Sequence, residues 1–166
     1  MKADDNASDS LPGDPVMVKS AGLPFVDIVR EFDAPPEAVY RAHVDPELFR
    51  QWCGPRTMRM DDVELNATTG GRWSYSFRGP GEATFSFFGV FHSVEPNKLL
   101  VQTGEFNMAP GNVTISTTRF DDVNGRTRLS VHEVYPSVEV RDAAVASGME
   151  HGITEGYERL DEIVAR

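Results

Sequence analysis

A single cysteine, Cys53, stands among 166 residues, so no internal disulfide can staple the fold. No apolar run approaches the roughly 20 residues that span a bilayer. The sequence also opens without the apolar stretch of a secretory signal, and the expected compartment is the cytoplasm. Positive charge is short: 16 Lys and Arg against 26 Asp and Glu leave a formal net charge of -10. Binding to nucleic acid draws on Lys and Arg to release condensed counterions, and anionic lipid surfaces attract the same residues. Neither nucleic acid nor membrane is therefore an expected partner.

Recognised cofactor signatures are missing as well. His43, His92, His132 and His151 form neither a His-Glu-x-x-His nor a Cys/His cluster, so no metal is expected. There is no Gly-x-Ser-x-Gly elbow, phosphate loop or dinucleotide fingerprint, and Gly79-Pro80-Gly81 reads as a turn. No cofactor is expected, and Cys53, beside Trp52 and without a cationic partner in sequence, reads as an inert thiol.

What is present is ordinary globular material, 40% hydrophobic and 25% charged, of single-domain size. Residues 1–22 mix Asp, Ser, Asn, Gly and Pro and read as a flexible tail, leaving residues 23–166 as one domain. The stretch Phe25 to Phe32 is β-rich, with Val26 and Ile28 on one side, and reads as the first strand. Asp33 before Pro35-Pro36, and Asp45 before Pro46-Glu47, each stand where a helix N-cap belongs, which predicts two short helices, the second stopped by Gly54-Pro55. From Met58 to Tyr135, turn residues at 69–71, 79–81, 95–97, 109–111 and 124–125 cut a β-rich region into about six strands.

Beyond Pro136 the period becomes helical. Val145, Met149, Ile153, Gly156, Leu160 and Ile163 share one face, predicting a long C-terminal helix. Gly148, Gly152 and Gly156 recur on it at a cost of roughly 1 kcal/mol each, which implies a need for space. The element order predicts an α+β helix-grip fold: a curved antiparallel sheet of six to seven strands holding the terminal helix in its concave face.

The segment REFDAPPEAVYRAHVDPELFRQWCGP resembles the opening signature of the SRPBCC (START-like) superfamily, in its branch of homologues of the Hsp-ninety ATPase activator C-terminal domain. The matching features are Ala34-Pro35, Val39-Tyr40, Asp45-Pro46-Glu47 and Trp52-Cys53-Gly54-Pro55, followed by Gly70-Gly71-Arg72-Trp73, the stretch from Gly89 to Leu100, and Gly156-Tyr157 with Leu160. Cys53 stands where a second aromatic is common, and Tyr157 replaces the usual Trp. The resemblance implies the same fold, with an internal apolar cavity between sheet and terminal helix.

Candidate cavity residues follow from strand alternation, from the helix stripe and, for Trp52 and Tyr157, from what the resemblance implies. Trp73, Tyr75 and Phe77 share one side of a strand, as do Phe85, Phe87 and Phe91 on the next; Trp52, Met149, Ile153 and Tyr157 supply the helical side. Plain core packing is the simpler alternative for any one of these aromatics. Thr103, Glu105, Arg119 and His132 are the polar candidates, with Glu133 the alternative to His132, since neighbours on a strand cannot both point inward. A buried Glu105 or Glu133 would have the raised pKa of an acid or base.

The leading expectation is binding of a small hydrophobic or aromatic ligand, such as a lipid or polyketide, by a monomer or homodimer. Two other classes stay open. One is an aromatase/cyclase-like enzyme, or a resistance protein capturing a reactive antibiotic; the other is a co-chaperone-like interaction domain.

Overall fold

The strand β2 (Phe25–Phe32) shows how the sequence makes two faces: Val26, Ile28, Arg30 and Phe32 are buried, while the alternate residues are half-buried or exposed. The computed structural model describes Gly13 and residues 15–165. Antiparallel to β2 runs a short edge strand, β1 (Val16–Val18), so part of the segment expected as tail joins the sheet; residues 1–12 lie outside the described residues.

After two short helices, α1 (Pro36–Val44) and α2 (Pro46–Trp52), come six strands: β3 (Arg59–Leu65), β4 (Arg72–Arg78), β5 (Thr84–Glu95), β6 (Leu99–Phe106), β7 (Thr114–Val123) and β8 (Arg126–Val134). They form one curved antiparallel sheet in the order β1-β2-β8-β7-β6-β5-β4-β3. Asn124 and Gly125 both take positive φ, at 54° and 85°, which suits the right-handed twist of the β7–β8 hairpin.

Asp45 caps α2 as its sequence predicts, its Oδ1 accepting from the amides of Glu47 (2.9 Å) and Leu48 (3.4 Å). Asp33 does not cap α1. That helix starts after Pro35 without a side-chain cap, its first residue being Pro36, and Asp33 faces Arg126 at 3.8 Å instead.

The terminal helix is broken in two, α3 (Val138–Ala146) and α4 (Met149–Val164), because Gly148 takes φ 95° and cannot continue α3. The glycine series therefore serves two ends. Gly148 turns the chain, whereas Gly156 lets α4 approach α2 so closely that a Cβ would sit 3.0 Å from the Trp52 carbonyl oxygen.

The core lies between the concave sheet face and the helices, with Phe32, Phe91, Leu129 and Leu160 fully buried. Helix α1 lies against β7 and β8, and α2 against β3. His43 of α1 packs between the rings of Trp52 (4.8 Å) and Phe120 (5.1 Å), and its Nδ1 donates to the Val39 carbonyl at 2.8 Å. Burial pushes its pKa down to about 4.

Two outcomes follow. Since the folded His43 value lies below the unfolded one, its stability contribution is complete above pH 6.5 and is lost as pH falls toward 4. Chemical denaturation at pH 4.5 should show about 2 kcal/mol less stability from this residue than at pH 7, a loss missing in His43→Leu. Gly89 pairs with Trp73, and a Cβ there would meet the Thr103 carbonyl carbon at 2.7 Å and the Trp73 indole nitrogen at 2.8 Å. Gly89→Ala should cost at least about 2 kcal/mol in the same measurement, because backbone has to move.

Candidate functional site

Strand register assigns every sheet residue to a face. Across the ladder, Val26 pairs with Glu133, Glu133 with Ser116, Ser116 with Gln102, and Gln102 with Phe91. Val26 and Phe91 are core residues, so Glu133, Ser116 and Gln102 form a polar row across the concave face. To one side of this row, Thr118, Leu129 and Phe120 are buried on the strands that α1 covers, with Leu100 buried beside them. To the other side lie Phe106, Phe87 and Tyr75, which stack in turn: Phe87 on Phe106 at 4.7 Å and Tyr75 on Phe87 at 5.4 Å.

These inward-facing residues are not sealed. Tyr75, Phe87, Phe106, Gln102, Ser116, Val131 and Glu133 keep intermediate exposure, as do Met149 and Ile153 on the facing stripe of α4. The cup thus has a dry end, where α4 is clamped, and a looser, wet end, where the aromatic residues and the polar row are partly buried. At the dry end Arg30 lies buried on the Asp161 carboxylate, donates to the Tyr157 carbonyl at 3.4 Å and sits 4.4 Å over the Phe32 ring. Tyr157 meets Phe32 edge-on at 5.5 Å.

Burial governs the electrostatics of the cup. It raises the Glu133 carboxyl above the ordinary value, and the Tyr135 and Thr114 hydroxyls beside it pull the other way. It raises Tyr75 well above its usual value, with Cys53 and Glu133 adding to the effect, and it raises Tyr135 and Tyr157 too. The Cys53 thiol, next to the Tyr75 hydroxyl, is pushed up to about 12. A thiol and phenols so raised are neutral hydrogen-bonding groups rather than nucleophiles. The Tyr135 hydroxyl donates to Met149 Sδ at 3.6 Å, tying the wet end to the first turn of α4.

The fourteen residues singled out from sequence divide by face. Trp73, Tyr75, Phe77, Phe85, Phe87 and Phe91 lie on the concave side, facing Met149, Ile153 and Tyr157 of α4, with Trp52 at the end of α2. Within this set Trp52, Trp73, Phe77, Phe91 and Tyr157 are buried packing, and Tyr75, Phe85, Phe87, Met149 and Ile153 are partly exposed.

The four polar candidates lie outside the cup. Thr103 pairs with exposed Ile115, and its hydroxyl accepts from the Val90 amide at 3.1 Å. Glu105 pairs with exposed Phe88 and accepts from the Gly111 amide at 3.1 Å. Arg119 is exposed on the convex side, between buried Thr118 and Phe120. His132 stands opposite Asp27 there, its Nδ1 2.6 Å from Asp27 Oδ1. The pair-parity choice between His132 and Glu133 is thereby settled for Glu133. Gln102, Ser116, Phe106 and Tyr135, which sequence reasoning passed over, complete the cup.

Among the described residues no His, Cys, Asp or Glu group could hold a metal ion, and no helix is long and apolar enough to cross a membrane.

Solved structures share this architecture. A protein of Rhodobacter sphaeroides is 27% identical, with a TM-score of 0.85 over 92% of this chain and 99% of that one. A protein of Arthrobacter aurescens is 25% identical (TM-score 0.80, 90% and 91% covered), and protein Ms6760 of Mycobacterium smegmatis, 19% identical (TM-score 0.81, 93% and 97% covered), shares the fold. No curated protein matches the sequence. The model of the family described as "Activator of Hsp90 ATPase homolog 1-like protein" matches residues 33–165, and by that match the chain belongs to this family.

Proposed function

We propose that the chain binds a small apolar or aromatic molecule in the wet end of the cup, between Tyr75, Phe87 and Phe106 on the sheet and Met149 and Ile153 on α4. The single observation carrying this reading is that these inward-facing apolar groups are partly exposed while the other end of the same face is dry. Exposed apolar surface in a concavity gains about 25 cal/mol per Å² when a guest covers it. The polar row of Gln102, Ser116 and Glu133 supplies a few hydrogen-bonding groups for a ligand's polar atoms. The proposed setting is the cytoplasm, and the charge balance argues against nucleic acid or membrane as partner.

A second reading, an enzyme of the aromatase/cyclase type, is favoured by one feature: Glu133, a carboxyl of raised pKa beside the Tyr135 and Thr114 hydroxyls, has the makings of an acid or base. The co-chaperone reading rests on the family's description.

A thermal-shift and NMR screen of lipids, polyketides and aromatic metabolites tests the first reading. A ligand at a hundredfold its Kd stabilises by about 2.7 kcal/mol, about 5–10 °C for a domain of this size. Ser116→Phe, which fills the cup floor, should abolish the shift; failure of every apolar class to shift Tm or perturb the Met149 methyl sinks the proposal. Turnover of a polyketide-like substrate that Glu133→Gln removes would favour the enzyme.

Glu133→Gln also carries a pH signature. Because the folded carboxyl has the higher pKa, its favourable contribution is complete below 4.5 and is lost as pH rises through the folded value. The variant should therefore gain stability relative to the wild type between pH 4.5 and pH 8 in denaturant melts.

A further inference from the structure

We infer that the protein carries a second site, an external cleft that binds a phosphorylated small molecule. The cleft, about 680 Å³, lies between α2, the loop after Gly54-Pro55, the edge strand β3 and α4. Arg50, Arg56, Arg59 and Arg159 line it together with Met58 and a single acid, Asp61. In a chain of net charge -10, four guanidinium groups around one recess are an unusual local excess of positive charge.

The excess is only partly neutralised internally, and the Glu155 carboxylate at its rim is engaged by the Arg56 amide at 2.7 Å. Asp61 is shared by Arg59 (2.9 Å) and Arg78 (2.9 Å), and Arg56 meets Glu158 only at 3.5 Å, with both side chains about half exposed. Such a pair is weak. Arg50 donates to the Asp61 backbone carbonyl at 3.1 Å, and Arg159 donates to the Gly54 carbonyl. A carbonyl fixes a guanidinium in place without cancelling its charge.

Arg159 bears the cost most plainly. Its Nε is buried with no hydrogen-bond partner, and burial, then repulsion from Arg56, lowers its pKa, with Glu155 and Glu162 only partly offsetting them. A bound anion at the guanidinium's exposed nitrogens would relieve the repulsion from Arg56.

The chemistry selects the ligand class. Two guanidiniums without a carboxylate partner, fixed on different elements, suit a dianion with several acceptor oxygens, and the planar fork of Arg matches phosphate. The recess exceeds the needs of a bare phosphate ion, and Met58 gives an apolar surface for an organic body.

The test is NMR titration of the full chain at constant ionic strength, following arginine Nε–H signals and the Met58 amide with inorganic phosphate, phenyl phosphate and benzoate as probes. Saturable shifts at Arg50 and Arg159, tighter for phenyl phosphate than for phosphate and weakest for benzoate, are expected. Arg159→Gln and Arg50→Gln should each weaken phenyl phosphate about tenfold. Arg72→Gln, on exposed β4 surface outside the cleft, should change nothing. If Arg159→Gln does not fold, Arg50→Gln and the half-exposed Arg56→Gln carry the same comparison. Shifts that sodium chloride reproduces, or variants that bind as tightly as the wild type, overturn the proposal.

Discussion

The structure depends on helix α4 being fastened at one end. Its C-terminal half holds the dense contacts: Asp161 on buried Arg30, Tyr157 between Phe32 and Trp52, Leu160 fully buried and Gly156 pressed to the Trp52 carbonyl. A buried ion pair does not by itself add much stability, but losing one partner strands a charge at a cost of about 3–5 kcal/mol. That asymmetry fixes the helix over the Arg30 end of the sheet. Its first turns, tied by Met149 and Ile153 to partly exposed walls, are the looser half.

From this one-sided clamp comes the division of the cup. Where the helices press down, side chains pack to the density of a core and water is excluded. Where they stand off, a concave face that an ordinary sheet would fill with aliphatic groups instead carries Glu133, Ser116 and Gln102 in one row. Burial by the surrounding side chains raises Glu133, Tyr75 and Cys53, so these groups stand as neutral donors and acceptors beside aromatic rings. That combination orients a guest more readily than it attacks one.

The architecture was legible in the sequence because its signals are local. Turn residues cut the six strands, Asp45 capped α2, and the helical stripe located α4. The polar half of the site was not legible, since β7 inverts the usual pattern: Thr114, Ser116 and Thr118 face inward while Ile115 faces solvent. Polarity could not set the phase of such a strand. Register could have: the Asn124-Gly125 turn places Phe120 opposite Leu129, and counting from that apolar pair puts Glu133 inside and Arg119 and His132 outside. Likewise β6, reading Leu99-Leu100-Val101, hides which of its apolar residues is core. The break at Gly148 escaped because the apolar stripe runs on from Val145 to Met149 across it.

The Trp52-Cys53-Gly54-Pro55 motif has a physical meaning in this fold. The Trp52 indole donates to the Ala42 carbonyl at 2.8 Å and locks α2 to α1. The Cys53 thiol turns to the Tyr75 hydroxyl, where a larger aromatic would press into the cup. Gly54 takes φ 91° with the Phe77 ring against it, a conformation and a closeness that only glycine tolerates. Pro55 then lies beside Gly152 of α4, 3.8 Å from where a Cβ would stand, and the chain leaves into Arg56 and Met58. Four residues thus form a thin wall with the aromatic interior on one side and the arginine cleft on the other. The Gly54 carbonyl that Arg159 holds belongs to the same residue that packs on Phe77.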